Sequence, residues 1–146
     1  MAEVLLVRDV MTRSVKTVRV DSTVREAVQK MNKFDIGSIV VMDDKKPVGI
    51  ITERDIMRKI VEQCVDPSLV KAGDIMSHPL ITTDPNKSVE EAARLMAGKK
   101  IKKLPVVEDG KLVGIVTSMD IMNAAPKLAS LLQELIRSGR SAEPTG

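Results

Sequence analysis

The chain has almost no aromatic side chains: it contains no Trp and no Tyr, and Phe34 is its one Phe. Proteins that bind single-stranded nucleic acids usually stack bases on aromatic rings, and that platform is missing here. The net charge of +3 is also small for such a protein. Composition therefore argues against nucleic-acid binding, and the basic segment Lys99–Lys103 keeps that function open only as the least favoured alternative.

Residues that bind metals or act as nucleophiles are equally scarce. Cys64 is the only cysteine and His78 the only histidine, so the chain can form no internal disulfide and has too few ligands for a zinc site. It contains no GxGxxG motif and no phosphate-binding P-loop motif. We therefore expect no catalytic residues, no bound metal and no enzymatic activity.

Long apolar runs are absent as well. No stretch of about 18 apolar residues could span a bilayer, and the first residues do not resemble a secretory signal peptide. A lone cysteine is typical of a reducing compartment, so we expect a cytoplasmic protein. The hydrophobic content of 43% over 146 residues is enough for a stable core.

An internal repeat organises the chain. Shifted by 65 positions without gaps, residues 9–57 fall on residues 74–122, and 18 of these 49 pairs are identical. The clearest match is GIITERDIM at 49–57 with GIVTSMDIM at 114–122. We interpret the copies as a pseudo-twofold pair in which each covers the apolar face of the other. We expect a first repeat over 1–63, a linker over 64–73 and a second repeat over 74–125.

Each copy predicts the element order strand, helix, strand, strand, helix. A short apolar strand, at about 15–18 and 80–82, precedes a helix that begins after Thr23 or Ser88, with a glutamate three residues later as in a capping box. Two apolar runs joined by a polar turn then predict a strand-turn-strand, and a second helix starts at Thr52 or Thr117. This order predicts an α/β fold of two small sheets backed by helices.

A third feature follows the second copy. Leu128, Leu131, Leu132, Leu135 and Ile136 recur at helical spacing and predict an amphipathic helix over 126–137. That helix either covers its own domain or packs on a second subunit or a target protein. Residues 138–146 are poor in apolar side chains, and we expect them to form a mobile tail.

The repeated Thr-x-x-Asp, Thr52/Asp55 and Thr117/Asp120, has two interpretations. As a capping box, it only fixes the start of a helix. As a ligand site, the free amides of the helix start would attract phosphate, and the carboxylate would accept from both hydroxyls of a ribose. A glycine three residues before each Thr, and Asp here where the other caps use Glu, favour a ligand site. The residues alone leave both interpretations open.

The two copies resemble a pair of cystathionine β-synthase (CBS) domains, also called a Bateman module. The resemblance rests on DVM and DIM at the starts of the copies and on GIITERDIM and GIVTSMDIM at their ends, and it covers residues 9–122. It implies strand-helix-strand-strand-helix repeats paired about a pseudo-twofold axis, commonly assembled as a homodimer. It also implies binding of an adenine nucleotide, AMP, ADP or ATP, between the copies, and regulation of other proteins or domains.

The resemblance further implies two clefts, each taking strand residues from one copy and the Thr-x-x-Asp from the other. The first cleft would combine Val15, Thr17, Gly37 and Ser38 with Thr117 and Asp120. The second cleft would combine Leu80, Thr82, Lys102, Lys103 and Leu104 with Thr52, Arg54 and Asp55. The adenine would lie among aliphatic side chains, so the lack of aromatic residues is no objection.

Charge separates these two clefts. The second gathers Lys102, Lys103 and Arg54, three cations able to bind a di- or triphosphate. We therefore hypothesise that the second cleft binds the nucleotide and that the first is weak or empty; alternatively, the lysines form only a solvated basic edge. The favoured function is a stand-alone regulatory module that senses adenine nucleotides and signals to a partner protein. The main alternative is an interaction module that keeps the fold without the ligand.

Overall fold

The computed structural model describes residues 4–133 and 135. The chain divides into two compact units. The central unit comprises Val15–Ile81, and the terminal unit comprises the described residues of Met1–Ser14 and Thr82–Gly146. Each unit therefore holds most of one repeat together with a segment from the start of the other.

The first repeat follows the predicted order of helices and strands, the second follows it without its first strand, and short additional helices are present. In chain order they are α1 (Val7–Val10), β1 (Thr17–Arg19), α2 (Val24–Phe34), β2 (Ser38–Asp43), β3 (Lys46–Thr52), α3 (Glu53–Ile56), the π-helix Met57–Val61, the 3-10 helix Pro67–Leu69, α4 (Ala72–Ile75), α5 (Val89–Lys99), β4 (Lys103–Glu108), β5 (Lys111–Thr117), α6 (Ser118–Ala124) and the 3-10 helix Pro126–Leu128.

The central unit contains a three-stranded sheet in the order β1-β2-β3. β1 runs parallel to β2, and β2 and β3 form the predicted antiparallel pair. α2 begins as predicted after Thr23, whose hydroxyl oxygen accepts a hydrogen bond from the amide of Glu26 at 3.1 Å. Apolar residues at helical spacing on α2 meet strand residues in one core, which includes Val24, Ala27, Met31, Ile39, Val41 and Ile51.

The terminal unit repeats this plan with a smaller sheet. β4 and β5 form the predicted antiparallel pair, and α5 begins after Ser88, whose hydroxyl oxygen accepts from the amide of Glu91 at 3.1 Å. The buried residues of α5, Val89, Ala92, Ala93 and Met96, match those of α2 in spacing. The predicted mixed α/β class is therefore confirmed in both units.

The strand predicted at 80–82 is wrong. On the edge of β4 that faces away from β5, the described residues of the terminal unit show only one pairing, an isolated parallel bridge between Thr83 and Val106. Pro105 explains the loss, because it occupies the position where β2 has Val40, the partner of Thr17 in β1. A proline has no N–H to donate to a neighbouring strand, so the pairing is interrupted there.

The segment before each repeat belongs to the unit of the other repeat. Thr12, after α1, forms an antiparallel bridge with Ile115 of β5, and Ser77, after α4, forms the same bridge with Ile50 of β3. Residue 77 is residue 12 shifted by 65, so both units use the same arrangement. The compact units thus have different bounds from the repeats at 1–63 and 74–125, which stay a prediction from sequence similarity.

The predicted C-terminal helix is described in part. After the 3-10 helix Pro126–Leu128, the backbone of residues 129–133 and 135 is helical. Leu132 and Leu135 are buried, which favours a helix that covers its own chain. Ile136 and the predicted mobile tail at 138–146 lie outside the described residues. No helix in the described ranges combines the length and apolar character needed to cross a membrane.

Candidate functional site

The two Thr-x-x-Asp sequences form closed capping boxes at the starts of α3 and α6. In the central unit, Thr52 Oγ1 accepts from the amide of Asp55 at 3.2 Å, and Asp55 Oδ2 accepts from the amide of Thr52 at 2.9 Å. In the terminal unit, the matching distances at Thr117 and Asp120 are 3.1 and 2.9 Å. Both carboxylates are therefore fixed by the backbone of their own helix start.

Fewer backbone amides are free at these helix starts than the ligand-site interpretation of the sequence assumes. Besides the amides used in the capping boxes, the first helical residue of each donates to the end of the preceding strand pair. Glu53 N donates to the carbonyl of Gly37 at 3.2 Å, and Ser118 N donates to the carbonyl of Lys102 at 2.8 Å. Tertiary pairing thus consumes donors that a phosphate would need.

The glycine three residues before each Thr has a packing role. A Cβ on Gly114 would lie 2.6 Å from Met11 Sδ and 3.0 Å from the carbonyl oxygen of Thr12. A Cβ on Gly49 would meet Met76 Sδ and would lie 3.0 Å from the carbonyl oxygen of Ser77. These contacts explain why DVM and DIM repeat together with the glycine, and the glycine spacing is therefore no evidence for a ligand.

Asp55 is surrounded by donors from three segments of the central unit. Its side chain is buried, with 7% of the residue exposed. Besides the Thr52 amide, Thr52 Oγ1 donates to Oδ2 at 3.1 Å, and Ser77 Oγ lies 2.9 Å from Oδ1 and 3.1 Å from Oδ2. Lys59 Nζ lies 3.3 Å from Oδ1. Both oxygens of this carboxylate are occupied.

Asp120 has simpler surroundings. The amide of Thr117 donates to Oδ2, and this is the one hydrogen bond that the described residues show for the carboxylate. Asp120 is half-buried. Ala124 stands where the central unit has Lys59, and Thr12 stands where it has Ser77. The two helix starts are therefore alike in backbone and different in what surrounds the acid.

Sequence reasoning missed Lys59 and Ser77, although a signal for Lys59 was present. Both lie outside the repeated motif, and attention to the identical positions concealed the informative differences. Comparing the unmatched pair Lys59/Ala124 at the shift of 65 would have marked the first copy as the one with an extra donor, whereas Ser77 and Thr12 both carry a hydroxyl and differ only in what that hydroxyl contacts.

Two of the predicted strand residues, Gly37 and Ser38, lie beside the Thr-x-x-Asp of their own repeat. In the central unit, Ser38 pairs in register with Thr52, is buried and already has an interaction partner, while Thr17 lies in β1. Val15 and Gly37 are half-buried. The pairing of these residues with the Thr-x-x-Asp of the other repeat stays a prediction from the family resemblance.

The residues predicted for the second cleft include two lysines of the second copy and an arginine of the first. Lys103 pairs in register with Thr117, is half-buried and has an interaction partner, whereas Lys102 is exposed. Leu104 is fully buried and Leu80 half-buried. Arg54 is exposed on α3. A role for these residues in binding phosphate or adenine stays a prediction.

Thr82 lines a cavity of about 500 Å³ in the terminal unit. The charged residues around that cavity are Asp84, Lys87, Glu91 and Asp109. Lys87 Nζ lies 3.7 Å from Glu91 Oε2, so its charge is already compensated. The cavity is therefore acidic and unsuited to a phosphate.

Each site offers a fixed carboxylate beside a threonine hydroxyl, and such a carboxylate can accept hydrogen bonds from hydroxyl groups of a ligand. No group of three or more His, Cys, Asp or Glu within the described ranges is placed to hold a metal ion.

Two tandem α/β units, each with a Thr-x-x-Asp helix start beside a strand end, define a paired-repeat module. The sequence model of the CBS domain matches residues 7–62 and 72–127, which is more than half of the chain. The chain therefore belongs to the CBS-domain family, as its motifs predicted.

Relatives of known sequence or structure agree with this assignment. An uncharacterised protein of Methanopyrus kandleri is 45% identical over 130 residues, 88% of this chain and 66% of that protein, so the chain spans just under two thirds of that relative. A conserved CBS-domain protein of unknown function from Thermoplasma acidophilum matches with a TM-score of 0.83 at 28% identity, covering 94% of this chain and 78% of that one. A hexameric CBS-CP12 protein from bloom-forming cyanobacteria has a TM-score of 0.78 at 28% identity, with 96% and 81% covered.

Proposed function

We propose that this protein is a regulatory module that binds an adenine nucleotide, AMP, ADP or ATP, and transmits its presence to a partner protein without catalysing a reaction. The family resemblance supports this class of ligand. The similar proteins described above are named as CBS-domain or uncharacterised proteins, which fits a binding module.

The carboxylate of Asp120 carries the proposal. Its Oδ2 is fixed by the amide of Thr117 at 2.9 Å, so the group is held in place before any ligand arrives. A carboxylate can accept about four hydrogen bonds, and one donor from the described residues leaves capacity for two more. The neighbouring hydroxyls of a ribose are a pair of donors that such a group binds well.

An exposed cation close to this helix start supports an anionic ligand. The carbonyl of Lys102 accepts from the amide of Ser118 at 2.8 Å, which places this lysine at the strand end beside Thr117. The side chain of Lys102 is exposed and able to pair with a phosphate oxygen. In this proposal the carboxylate of Asp120 binds the sugar of the nucleotide, and the ammonium group of Lys102 binds its phosphate.

Signalling would follow from a difference in ligand affinity between two conformations or assemblies. A ligand can shift such an equilibrium only by its differential affinity for the two states. We propose a homodimer as the assembly, and exposed Met57 and Val61 on the π-helix offer apolar surface for it. The hexameric CBS-CP12 protein is a structural relative that self-associates.

The experiment is a titration of the protein, freed of any co-purified nucleotide, with AMP, ADP and ATP, with and without Mg²⁺. Calorimetry measures the affinity, and thermal melting measures the stabilisation, which is about 2.7 kcal/mol at a ligand concentration of 100 times Kd. GMP and UMP serve as matched controls for the base. If no adenine nucleotide at millimolar concentration gives heat or shifts the melting curve, the proposal is refuted.

An interaction module without a ligand is the second candidate, and one observation favours it. Both capping boxes are closed by the chain itself, and around Asp55 no acceptor is left over. In this case the protein would associate with itself or a target equally well in the absence and presence of nucleotide. Sedimentation equilibrium with and without AMP separates the two candidates.

A further inference from the structure

The two Thr-x-x-Asp sites have diverged in a way that affects ligand binding. Within the central unit, the carboxylate of Asp55 receives four donor groups: the amide and hydroxyl of Thr52, the hydroxyl of Ser77 and the ammonium of Lys59. Four is about the full acceptor capacity of a carboxylate. Because only 7% of Asp55 is exposed, a ligand has little access to its carboxylate.

The two donors from outside the motif are themselves held in place. Lys59 Nζ also donates to the carbonyl of Ile75 at 2.7 Å, so it links the π-helix to the end of α4. Ser77 is fixed through its backbone, because its amide donates to the carbonyl of Ile50 at 2.8 Å and its carbonyl accepts from the amide of Ile50 at 3.2 Å. A ribose approaching Asp55 would have to displace donors that the fold positions.

The terminal unit keeps the backbone arrangement and lacks both donors to the acid. Thr12 makes the same bridge to Ile115, with both hydrogen bonds at 2.9 Å. Its hydroxyl is not among the donors that the described residues show for Asp120. Ala124, four residues after Asp120, has no polar side chain at all.

We propose that Lys59 and Ser77 close the Asp55 site, so that the chain binds one nucleotide, through Asp120, while Asp55 is a structural residue. This rests on the proposed function for the class of ligand. It reverses the sequence hypothesis, which favoured the cleft of Asp55 because Lys102, Lys103 and Arg54 were assigned to it. The occupied carboxylate outweighs those cations, because a ribose must first displace donors from a carboxylate whose residue is only 7% exposed.

The test transfers the two closing residues from one site to the other. Calorimetry with AMP is carried out on the wild type, on T12S/A124K, which gives Asp120 the neighbours of Asp55, and on T12S/A124M as a matched control of similar side-chain length without the charge. We expect one AMP per chain for the wild type. We expect T12S/A124K to bind about tenfold more weakly or worse, and T12S/A124M, which gains the serine without the ammonium, to bind more tightly than T12S/A124K and more weakly than the wild type.

The reciprocal variant K59A/S77T opens the Asp55 site and is expected to bind a second AMP per chain. Two AMP per chain in the wild type, unchanged affinity in T12S/A124K, or a single site in K59A/S77T would each overturn the unequal-site proposal while leaving nucleotide binding intact. A wild type that binds no AMP, ADP or ATP would overturn the proposed function and this proposal together. Circular dichroism of each variant verifies that the fold is retained.

Discussion

The side chain of Met11 fills the space that a side chain on Gly114 would need: a Cβ there would lie 2.6 Å from the Met11 sulfur. Met11 follows α1 near the start of the described chain, whereas Gly114 is a buried residue of β5. The same contact joins Met76 and Gly49 in the central unit. This packing ties the segment before each repeat to the sheet of the other.

Gly114→Ala is therefore expected to destabilise the protein. The added methyl group would meet both Met11 and the carbonyl oxygen of Thr12, and overpacking of this kind costs about 1–3 kcal/mol. Urea unfolding measures the change. Gly98→Ala is the control, because no atom lies within 4 Å of the new Cβ in α5, and we expect a gain of about 0.5–1 kcal/mol there. Equal stability of G114A and wild type would contradict the packing argument.

Asp55→Asn is expected to lower stability more than Asp120→Asn. The first change replaces one of the two accepting oxygens with an NH2 group, so part of the donor set of Thr52, Ser77 and Lys59 loses its acceptor, which costs about 1–3 kcal/mol. The ion-pair share of this is small because the Lys59 side chain is 44% exposed. The second change removes one backbone hydrogen bond at most and should cost below about 1 kcal/mol.

The midpoints of urea denaturation at unchanged slope give both values without any nucleotide. If D55N and D120N lose the same free energy of unfolding, the contacts of Lys59 and Ser77 with Asp55 do not stabilise the protein.

Pro105→Val is expected to restore strand pairing before α5. The valine supplies an amide where β2 has Val40, and by the parallel register of β1 with β2 this amide would donate to the segment at 81–83. Hydrogen exchange followed by NMR is the measurement: the new amide at 105 should exchange slowly, like that of Val106. Exchange as fast as in an exposed loop would mean that Pro105 is not what interrupts the strand.

Much of the fold was predictable because the repeat shows which positions the fold requires twice. The helix starts at Thr23 and Ser88, both antiparallel strand pairs and the closed boxes at Thr52 and Thr117 all lie where the two copies agree. The prediction of a strand at 80–82 was wrong because Pro105 on the partner strand has no amide to donate. A prediction that considers only the segment 80–82 does not include its partner strand.

The site was harder to predict because its state depends on contacts across the chain. The amides of Glu53 and Ser118 looked free in sequence, and they are bonded to carbonyls at 37 and 102. The cations near one site suggested that it binds, whereas the donors around Asp55 come from Lys59 and from Ser77, which lies 22 residues away along the chain. The charges near a site can be counted from the sequence, but whether a carboxylate already accepts hydrogen bonds from other residues can be seen only in the folded structure.

The most direct test of the central claim is a crystal structure of the protein grown with millimolar AMP. We predict one nucleotide per chain, with both ribose hydroxyls within hydrogen-bond distance of Asp120 and with Asp55 still bonded to Lys59 and Ser77. A ribose bound to Asp55 with Lys59 displaced, or density for water alone beside both aspartates, would contradict the account.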